Sequence, residues 1–264
     1  MKIGQVFDRL KEQGKKAVIP YITAGDPNLA ATAEFVSALD QAGVDIIELG
    51  VPYSDPLADG PVIQRATGRA LAAGTTMTKI FDLVQSFQGK IRTPIVLLVY
   101  FNPVYKYGME AFAAKCAEVG VAGLIIPDLP LEERAEFRQI LRAGDYPVDL
   151  IPLVAPTSRE RIGKVVAGAG GFVYAISSRG VTGVRSRFSK DLSSFIGQIR
   201  AATKLPVCLG FGIGNAAMAA GIKDLVDGVI FGSVLVEMIE KAGTTAEAAA
   251  QLADFAANLQ AALD

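Results

Sequence analysis

Three observations in this sequence predict an α/β fold built on a parallel sheet. Short apolar runs recur eight times, segments of helical periodicity separate them, and the length of 264 residues is typical of one closed α/β barrel. A doubly wound sheet is the alternative. We favour a (β/α)8 TIM barrel of eight parallel strands, with extra helices at the N-terminus and after strand 8. The reason is that the units are nearly equal and a dinucleotide-binding fingerprint is absent.

The apolar runs are rich in Val and Ile and continuous rather than alternating, which is typical of parallel strands buried on both faces. Glycine precedes several of them, as at Gly43 and Gly120, where the end of a helix often needs a left-handed residue. The predicted strands span residues 17–22, 44–50, 94–100, 123–126, 148–154, 172–176, 206–209 and 228–231.

Helices are predicted between these strands, because apolar residues recur there at helical spacing, for example at Ile80 and Val84. Asp26 followed by Pro27 predicts the N-cap and the first residue of the helix after strand 1. An extra helix is expected at residues 2–13 and a final helix at residues 245–264, with one domain over residues 1–264.

The charge composition argues against nucleic-acid and membrane binding. Lys and Arg total 26 against 27 Asp and Glu, whereas neutralising several phosphates needs a basic excess. No segment reaches the ~18 consecutive apolar residues of a membrane helix, and the first residues lack the apolar stretch of a signal peptide. Two cysteines, Cys116 and Cys208, are too few for a disulfide framework. We therefore expect a cytoplasmic protein with both thiols in its core.

The chain contains no histidine. This excludes Ser-His-Asp and Cys-His catalysis and histidine-based zinc sites, and two distant cysteines do not suffice for a thiolate zinc site. No metal site is therefore expected. Proton transfer must rely on Asp, Glu, Tyr or Lys.

Two carboxylates are candidates for that chemistry. Glu48 lies near the end of the second strand between Ile47 and Leu49, where lost hydration raises the pKa of a carboxyl group and suits it to acid–base work. Asp59 lies in the proline-rich loop that follows. The alternatives are a glutamate paired with an arginine and a loop that serves only as a connector.

Tyrosines near three strand ends are candidate substrate contacts. Tyr174 lies in the sixth strand and could orient a substrate hydroxyl or Glu48, while Tyr21 and Tyr100 could form a flat apolar slot. Such residues are more often part of the core.

Glycine clusters follow the last three strands and predict a phosphate group on the substrate. Glycine lets backbone amides approach an anion, and a helix that begins at Ser233 would direct its positive end there. The loops after the last two strands of a barrel often bind phosphate, although glycine also marks ordinary turns. Because neither GxxxxGK[ST] nor GxGxxG is present, ATP and NAD are poor candidates. The candidate positions in these clusters are Thr182, Gly183, Gly210, Phe211, Gly212, Gly232 and Ser233.

Longer motifs resemble those of the tryptophan synthase alpha subunit family, in the same order and over nearly the whole chain. They are PYITAGDP at residues 20–27, ELGVPYSDPLADGP at 48–61, GVTG at 180–183, GFGI at 210–213 and GS at 232–233. The resemblance implies a barrel that cleaves indole-3-glycerol phosphate to indole and glyceraldehyde 3-phosphate. Glu48 would then shuttle protons, Asp59 would bind the indole N–H, and Tyr174 would assist at the glycerol hydroxyl.

The resemblance also implies a partner, a beta subunit in an alpha2beta2 heterotetramer. That subunit would bind pyridoxal phosphate, so no cofactor is expected in this chain. Asp55 and Pro56, together with the loop of Thr182 and Gly183, would respond to the partner. Three alternatives stay open: a free-standing lyase that releases indole, another barrel enzyme acting on a phosphorylated sugar, and a binding subunit without activity.

Overall fold

The computed structural model of the protein describes residues 2–176, 185–210 and 212–264, with the backbone alone for residues 185–190. The strands within these ranges all pair in parallel, in the order β5-β4-β3-β2-β1-β9-β8-β7-β6. They are β1 (Ala17–Thr23), β2 (Ile47–Gly50), β3 (Ile95–Leu98), β4 (Val121–Ile125), β5 (Asp149–Leu150), β6 (Leu153–Val154), β7 (Val173–Ile176), β8 (Val207–Gly210) and β9 (Gly228–Phe231).

The sheet closes on itself between β5 and β6. These strands stand at opposite ends of the pairing order, yet only Ile151 and Pro152 separate them in the chain. The amide of Ile151 donates to the carbonyl of Leu124 at 2.9 Å, and the carbonyl of Pro152 accepts from the amide of Tyr174 at 2.9 Å. The two short strands are therefore halves of the fifth strand of an eight-stranded barrel. The predicted (β/α)8 barrel is confirmed, and each apolar run overlaps one of its strands.

Helices surround this barrel. The predicted extra helices at both ends of the chain are confirmed as α1 and α12. The helices are α1 (Ile3–Glu12), α2 (Leu29–Gln41), α3 (Pro61–Ala72), α4 (Met77–Ser86), α5 (Phe101–Tyr107), α6 (Met109–Val119), α7 (Arg134–Ala143), α8 (Ile162–Val166), α9 (Arg185–Ala202), α10 (Ala216–Ala220), α11 (Ser233–Lys241) and α12 (Thr245–Leu263), with a 3-10 helix at Pro156–Arg161.

Helix α1 closes the amino-terminal end of the barrel. Its buried residues Ile3, Val6, Phe7 and Leu10 join the cluster of side chains inside the barrel. The ring centroids of Phe7 and Phe172 lie 5.7 Å apart. Because this end is filled by apolar side chains, the open end is the one at which the strands finish.

The prediction that Asp26 and Pro27 begin the second helix is wrong. Helix α2 starts at Leu29, and Asn28 is its N-cap, since the side chain of Asn28 accepts from the amide of Ala31 at 2.9 Å. The carboxylate of Asp26 binds the guanidinium of Arg69 instead.

Side chains of β2 alternate between the barrel interior and the surrounding helices. Ile47 and Leu49 belong to the outer core between sheet and helices, whereas Ile46 belongs to the interior cluster. Because every second residue of a strand faces the same side, Glu48 shares the interior with Ile46. The fold thus places a carboxyl group inside the barrel.

Both cysteines, Cys116 and Cys208, are buried and unpaired, in agreement with the prediction that they are core thiols. Within the described ranges, the structure contains no helix whose length and apolar character would let it span a membrane.

Candidate active site

Glu48 is the central acidic group of the candidate site. Its Cα is in register with that of Tyr21 on β1 and that of Val96 on β3. The residue is 1% exposed, and neither carboxyl oxygen has a hydrogen-bond partner among the described residues. The arrangement is unusual because a buried polar group without a partner costs about 1–3 kcal/mol. The arginine partner considered as the alternative is not among its contacts in the part of the chain described.

Burial and, secondly, the negative charge of Asp59 raise the pKa of Glu48 from its ordinary value to about 8. The carboxyl group is buried away from solvent, and no donor among the described residues takes the place of water, so the neutral form is favoured. Near neutral pH, Glu48 therefore holds a proton that it can release.

Tyr21 stands beside Glu48 and fills the space above two glycines. A Cβ at Gly50 would lie 2.6 Å from Cε2 of Tyr21, and a Cβ at Gly232 would lie 2.9 Å from Cδ1. The Tyr21 hydroxyl is 3.2 Å from Oγ1 of Thr23, and the residue is 8% exposed. Tyr21 therefore forms part of the wall beside Glu48, and Gly50 and Gly232 make room for it.

Tyr174 is the second interior tyrosine, and it packs over Gly210. A Cβ at Gly210 would come within 2.6 Å of Cζ and of the hydroxyl oxygen of Tyr174. Burial raises the pKa of Tyr174 well above its ordinary value, and the charges of Glu48 and Asp59 act in the same direction. Tyr174 thus lies in the barrel interior, and its hydroxyl is within electrostatic range of both predicted carboxylates.

Asp59 lies between β2 and α3 in a loop that Tyr100 anchors. The hydroxyl of Tyr100 accepts from the amide of Ala58 at 2.9 Å. Burial raises the pKa of Asp59, and a hydrogen bond with Tyr100 opposes that rise. The side-chain amide of Gln64 on α3 donates to the carbonyl of Asp59 at 2.9 Å. The half-buried carboxylate of Asp59 is therefore held at the open end of the barrel.

Two features at the ends of adjacent strands could receive an anion. Helix α11 begins at Ser233, which is exposed, directly after β9. Its first amides lack partners within the helix, as at any helix N-terminus. Gly212 follows β8 with a φ of 84°, a left-handed conformation that favours glycine.

Three comparisons identify the family. A family model described as "Tryptophan synthase alpha chain" matches residues 7–264. The tryptophan synthase alpha chain of Alkaliphilus metalliredigens is 52% identical over 90% of this chain and 89% of its own length. That of Caldanaerobacter subterraneus subsp. tengcongensis is 48% identical over 98% of both chains. The chain belongs to the tryptophan synthase alpha chain family.

Solved structures agree with this assignment. The crystal structure of tryptophan synthase subunit alpha from Legionella pneumophila superposes with a TM-score of 0.90 at 34% identity, covering 100% of this chain and 99% of that one. A chain of tryptophan synthase from M. tuberculosis, in an aminoacrylate-bound form, gives 0.87 at 35% identity and 99% coverage of both chains. The fold of this chain is therefore that of its family.

The structure brings most of the predicted site residues to one end of the barrel. Glu48, Tyr21 and Tyr174 lie inside it, and the loop of Asp55, Pro56 and Asp59 follows β2. Gly210 is the last residue of β8 and Gly212 follows that strand, while Gly232 and Ser233 follow β9. The predicted residues Thr182, Gly183 and Phe211 lie outside the described residues, as do the other residues of GVTG.

Sequence reasoning missed the contacts that hold the loop of Asp59. The ring of Tyr53 packs on that of Tyr100 with centroids 5.2 Å apart, and Nδ2 of Asn102 donates to the Tyr53 hydroxyl at 3.0 Å. It also missed Leu57, which is 86% exposed. Tyrosines and an asparagine near two strand ends were the only signal, and such residues are too common to reveal a contact by themselves.

The described residues contain no group of three or more Cys, Asp or Glu side chains placed to hold a metal ion. The named site groups are carboxyls, phenols and backbone amides. These groups can move protons and bind a phosphate.

Proposed function

We propose that this chain cleaves indole-3-glycerol phosphate to indole and glyceraldehyde 3-phosphate, with Glu48 as acid and then base. One observation carries the assignment of Glu48: its carboxyl group is buried in the barrel without a hydrogen-bond partner among the described residues. Such a group is costly to keep, and its raised pKa suits proton transfer near neutral pH.

The protonation state of Glu48 sets the order of steps. Neutral Glu48 first gives its proton to C3 of the indole ring, which leaves a positive charge on the ring nitrogen. The resulting carboxylate then accepts the proton of the side-chain hydroxyl next to C3. As that oxygen forms the aldehyde carbonyl, the electron pair of the broken carbon–carbon bond returns to the ring. Glu48 ends protonated, ready for another turnover.

Asp59 and Tyr174 assist this reaction. An ionised Asp59 that accepts a hydrogen bond from the indole N–H stabilises the positive charge of the intermediate. The hydroxyl of Tyr174, which lies within electrostatic range of Glu48, orients the glycerol hydroxyl. Tyr21 and Tyr100 border the space for the indole ring.

The phosphate binds at the amino-terminal end of α11 and at the glycine loop after β8. The first amides of α11, which have no partner within the helix, and the left-handed backbone at Gly212 support this placement. Gly210 and Gly232 also leave room for a tyrosine ring, because a side chain at either position would collide with that ring. Thr182, Gly183 and Phe211 are proposed here on the family motif alone.

The beta subunit of tryptophan synthase is the proposed partner, in an alpha2beta2 assembly that contacts the loop of Asp55 and Pro56. Pyridoxal phosphate is assigned to that partner on the family resemblance, and no cofactor is proposed for this chain. Two buried, unpaired cysteines are in keeping with a reducing compartment, and we propose the cytoplasm.

The test is to incubate the purified chain with indole-3-glycerol phosphate and to measure released indole. We expect indole from the wild type and at least a tenfold lower kcat for Glu48→Gln, a loss above ~1.4 kcal/mol of transition-state stabilisation. A Glu48→Gln variant that keeps more than about a tenth of wild-type kcat would refute the acid–base role.

The phosphate site has its own test. Glycerol phosphate should compete with the substrate in wild type and in Ser233→Ala, whereas Ser233→Asp should abolish the competition through charge repulsion. Aspartate is compatible with a helix N-terminus, so the helix itself should be kept. Unchanged inhibition in Ser233→Asp would place the phosphate elsewhere.

A further inference from the structure

Four charged side chains form a continuous network on the outside of the barrel near the candidate site. Nε and Nη2 of Arg69 donate to the two carboxylate oxygens of Asp26 at 2.7 and 2.9 Å. Nη1 of Arg69 donates to Oε1 of Glu240 at 2.8 Å. Arg65 donates to both oxygens of Glu240, at 2.9 and 2.8 Å. Glu240 therefore joins two arginines that lie one helical turn apart.

The network connects α3 and α11. In the proposed mechanism, the residues at the starts of these two helices bind opposite ends of the substrate. Arg65 and Arg69 lie on α3, which begins directly after Asp59 and Gly60. Glu240 lies in the last turn of α11, whose first residue is Ser233. The side chain of Asp26, 0% exposed, ties α3 to the loop after β1.

The same two helices enclose a small apolar cluster beside Glu48. Ala66 of α3 and Val236 of α11 are both fully buried and pack with Tyr21. Tyr21 is in register with Glu48 on the neighbouring strand. A change in the separation of α3 and α11 would therefore alter the wall of the site as well as the distance between its two ends.

We propose that Asp26, Arg69, Glu240 and Arg65 are positioning residues, which hold α3 and α11 at the separation that lets Asp59 bind the indole while the start of α11 binds the phosphate of the same molecule. The inference rests on the proposed function, because it requires those two contacts.

The geometry favours a positioning role over a purely stabilising one. Ion pairs exposed to solvent usually contribute little to stability, and the Arg65 side chain is 52% exposed. Bidentate arginine–carboxylate contacts do, however, strongly restrict the orientation of the two side chains relative to each other. Hydrogen bonds and charge from Arg65, and to a smaller extent from Arg69, lower the pKa of Glu240 to about 2, so the network stays charged across the physiological range.

The experiment compares ligands that occupy one end of the site with a ligand that occupies both. Glycerol phosphate and indole are the single-end probes, and an indole joined to a phosphate by a three-carbon chain without hydroxyls is the linked, uncleavable probe. Dissociation constants are measured by calorimetry for wild type, Glu240→Gln and Arg65→Lys. Lys241→Gln is the matched control, since Lys241 contacts Glu237 on the same helix at 3.3 Å. Thermal unfolding checks that each variant is folded.

We expect Glu240→Gln to weaken the linked probe by about fivefold or more while both single-end probes change less than about twofold, because only the linked probe depends on the separation of the ends. Arg65→Lys keeps the charge but loses the bidentate contact, so it should weaken binding of the linked probe by a smaller factor. The control variant Lys241→Gln should bind all three probes with the dissociation constants of wild type.

Equal weakening of all three probes, or no weakening of the linked probe in either network variant, would overturn the positioning role. Failure of the proposed function is distinguishable: wild type itself would then bind the linked probe no more tightly than glycerol phosphate.

Discussion

At the scale of single residues, the chemistry depends on what surrounds a carboxyl group. The apolar neighbours of Glu48 in the sequence predicted lost hydration, and the structure places this group inside the barrel without a partner among the described residues. Asp59, in contrast, is half-buried and has the Tyr100 hydroxyl beside it. Two carboxyl groups with different surroundings can hold different charges at one pH. The proposed reaction needs this difference, because Glu48 must start protonated while Asp59 must be ionised.

The raised pKa of Glu48 predicts how stability depends on pH. Between the ordinary value of 4.5 and about 8, the folded chain holds a proton on Glu48 that the unfolded chain has lost. Wild type should therefore lose stability relative to Glu48→Gln as pH rises through this interval, and the difference should level off above it. We expect a change of up to a few kcal/mol, since one unit of pKa corresponds to about 1.4 kcal/mol. Urea unfolding of both proteins at several pH values measures it, and parallel curves would contradict the raised pKa.

Replacing Asp59 tests the stabilisation of the ring nitrogen. Asp59→Asn keeps the shape of the side chain but removes its charge, so kcat should fall by about 100-fold, the usual effect of losing one group that stabilises transition-state charge. Binding of glycerol phosphate should stay within twofold of wild type, because it involves the other end of the site. Steady-state kinetics and calorimetry check the two statements. Activity close to wild type would remove Asp59 from the mechanism.

At the scale of strands and helices, the glycine-rich strand ends provide space as well as backbone amides. Gly210 and Gly232 were predicted for their backbone amides, and the structure shows tyrosine rings lying where their side chains would be. The sequence alone does not distinguish a glycine that exposes its backbone amide from one that leaves space for a neighbouring ring, because the ring belongs to a residue on another strand. The neighbour of Gly210 is Tyr174 of β7, and that of Gly232 is Tyr21 of β1.

Gly210→Ala should therefore destabilise the protein, by about 1–3 kcal/mol, since its Cβ would overlap the Tyr174 ring. Gly214→Ala, four residues along, is the matched control, because its Cβ would meet no atom within 4 Å. Combining Gly210→Ala with Tyr174→Leu should recover part of the loss, as a double-mutant cycle would measure. Equal effects of the two alanine substitutions on thermal unfolding would argue against the crowding.

At the scale of the whole molecule, barrel closure gathers loops from distant parts of the chain at one open end. The loop after β2 carries Asp55 and Pro56, and next to them Leu57 exposes 86% of its surface. Leu57 lies in the same loop as Asp55 and Pro56, for which the family resemblance implies a response to the partner. This is the surface that we propose for the beta subunit.

Leu57→Ser should weaken binding of the beta subunit by about tenfold, since burying a leucine is worth roughly 1.5–3 kcal/mol and part of that would be lost. The rate at which the isolated chain releases indole should stay near that of wild type. Leu57→Met, which keeps an apolar side chain, is the control. Titration of the beta subunit against the rate of indole formation gives the affinity. An unchanged affinity in Leu57→Ser would exclude this side chain from the interface.

The sequence by itself determined the parallel barrel, its eight strands, its extra helices and the acidic candidates, because these follow from local periodicity and from residues close together in the chain. It misplaced the start of α2, where Asn28 rather than Asp26 provides the cap. Only the tertiary structure decided that Glu48 has no partner among the described residues, that tyrosines occupy the space above the glycines, and that Arg65 and Arg69 meet Glu240. The contact of Arg65 with Glu240 joins residues 175 positions apart, and closure of the barrel brings such distant residues together.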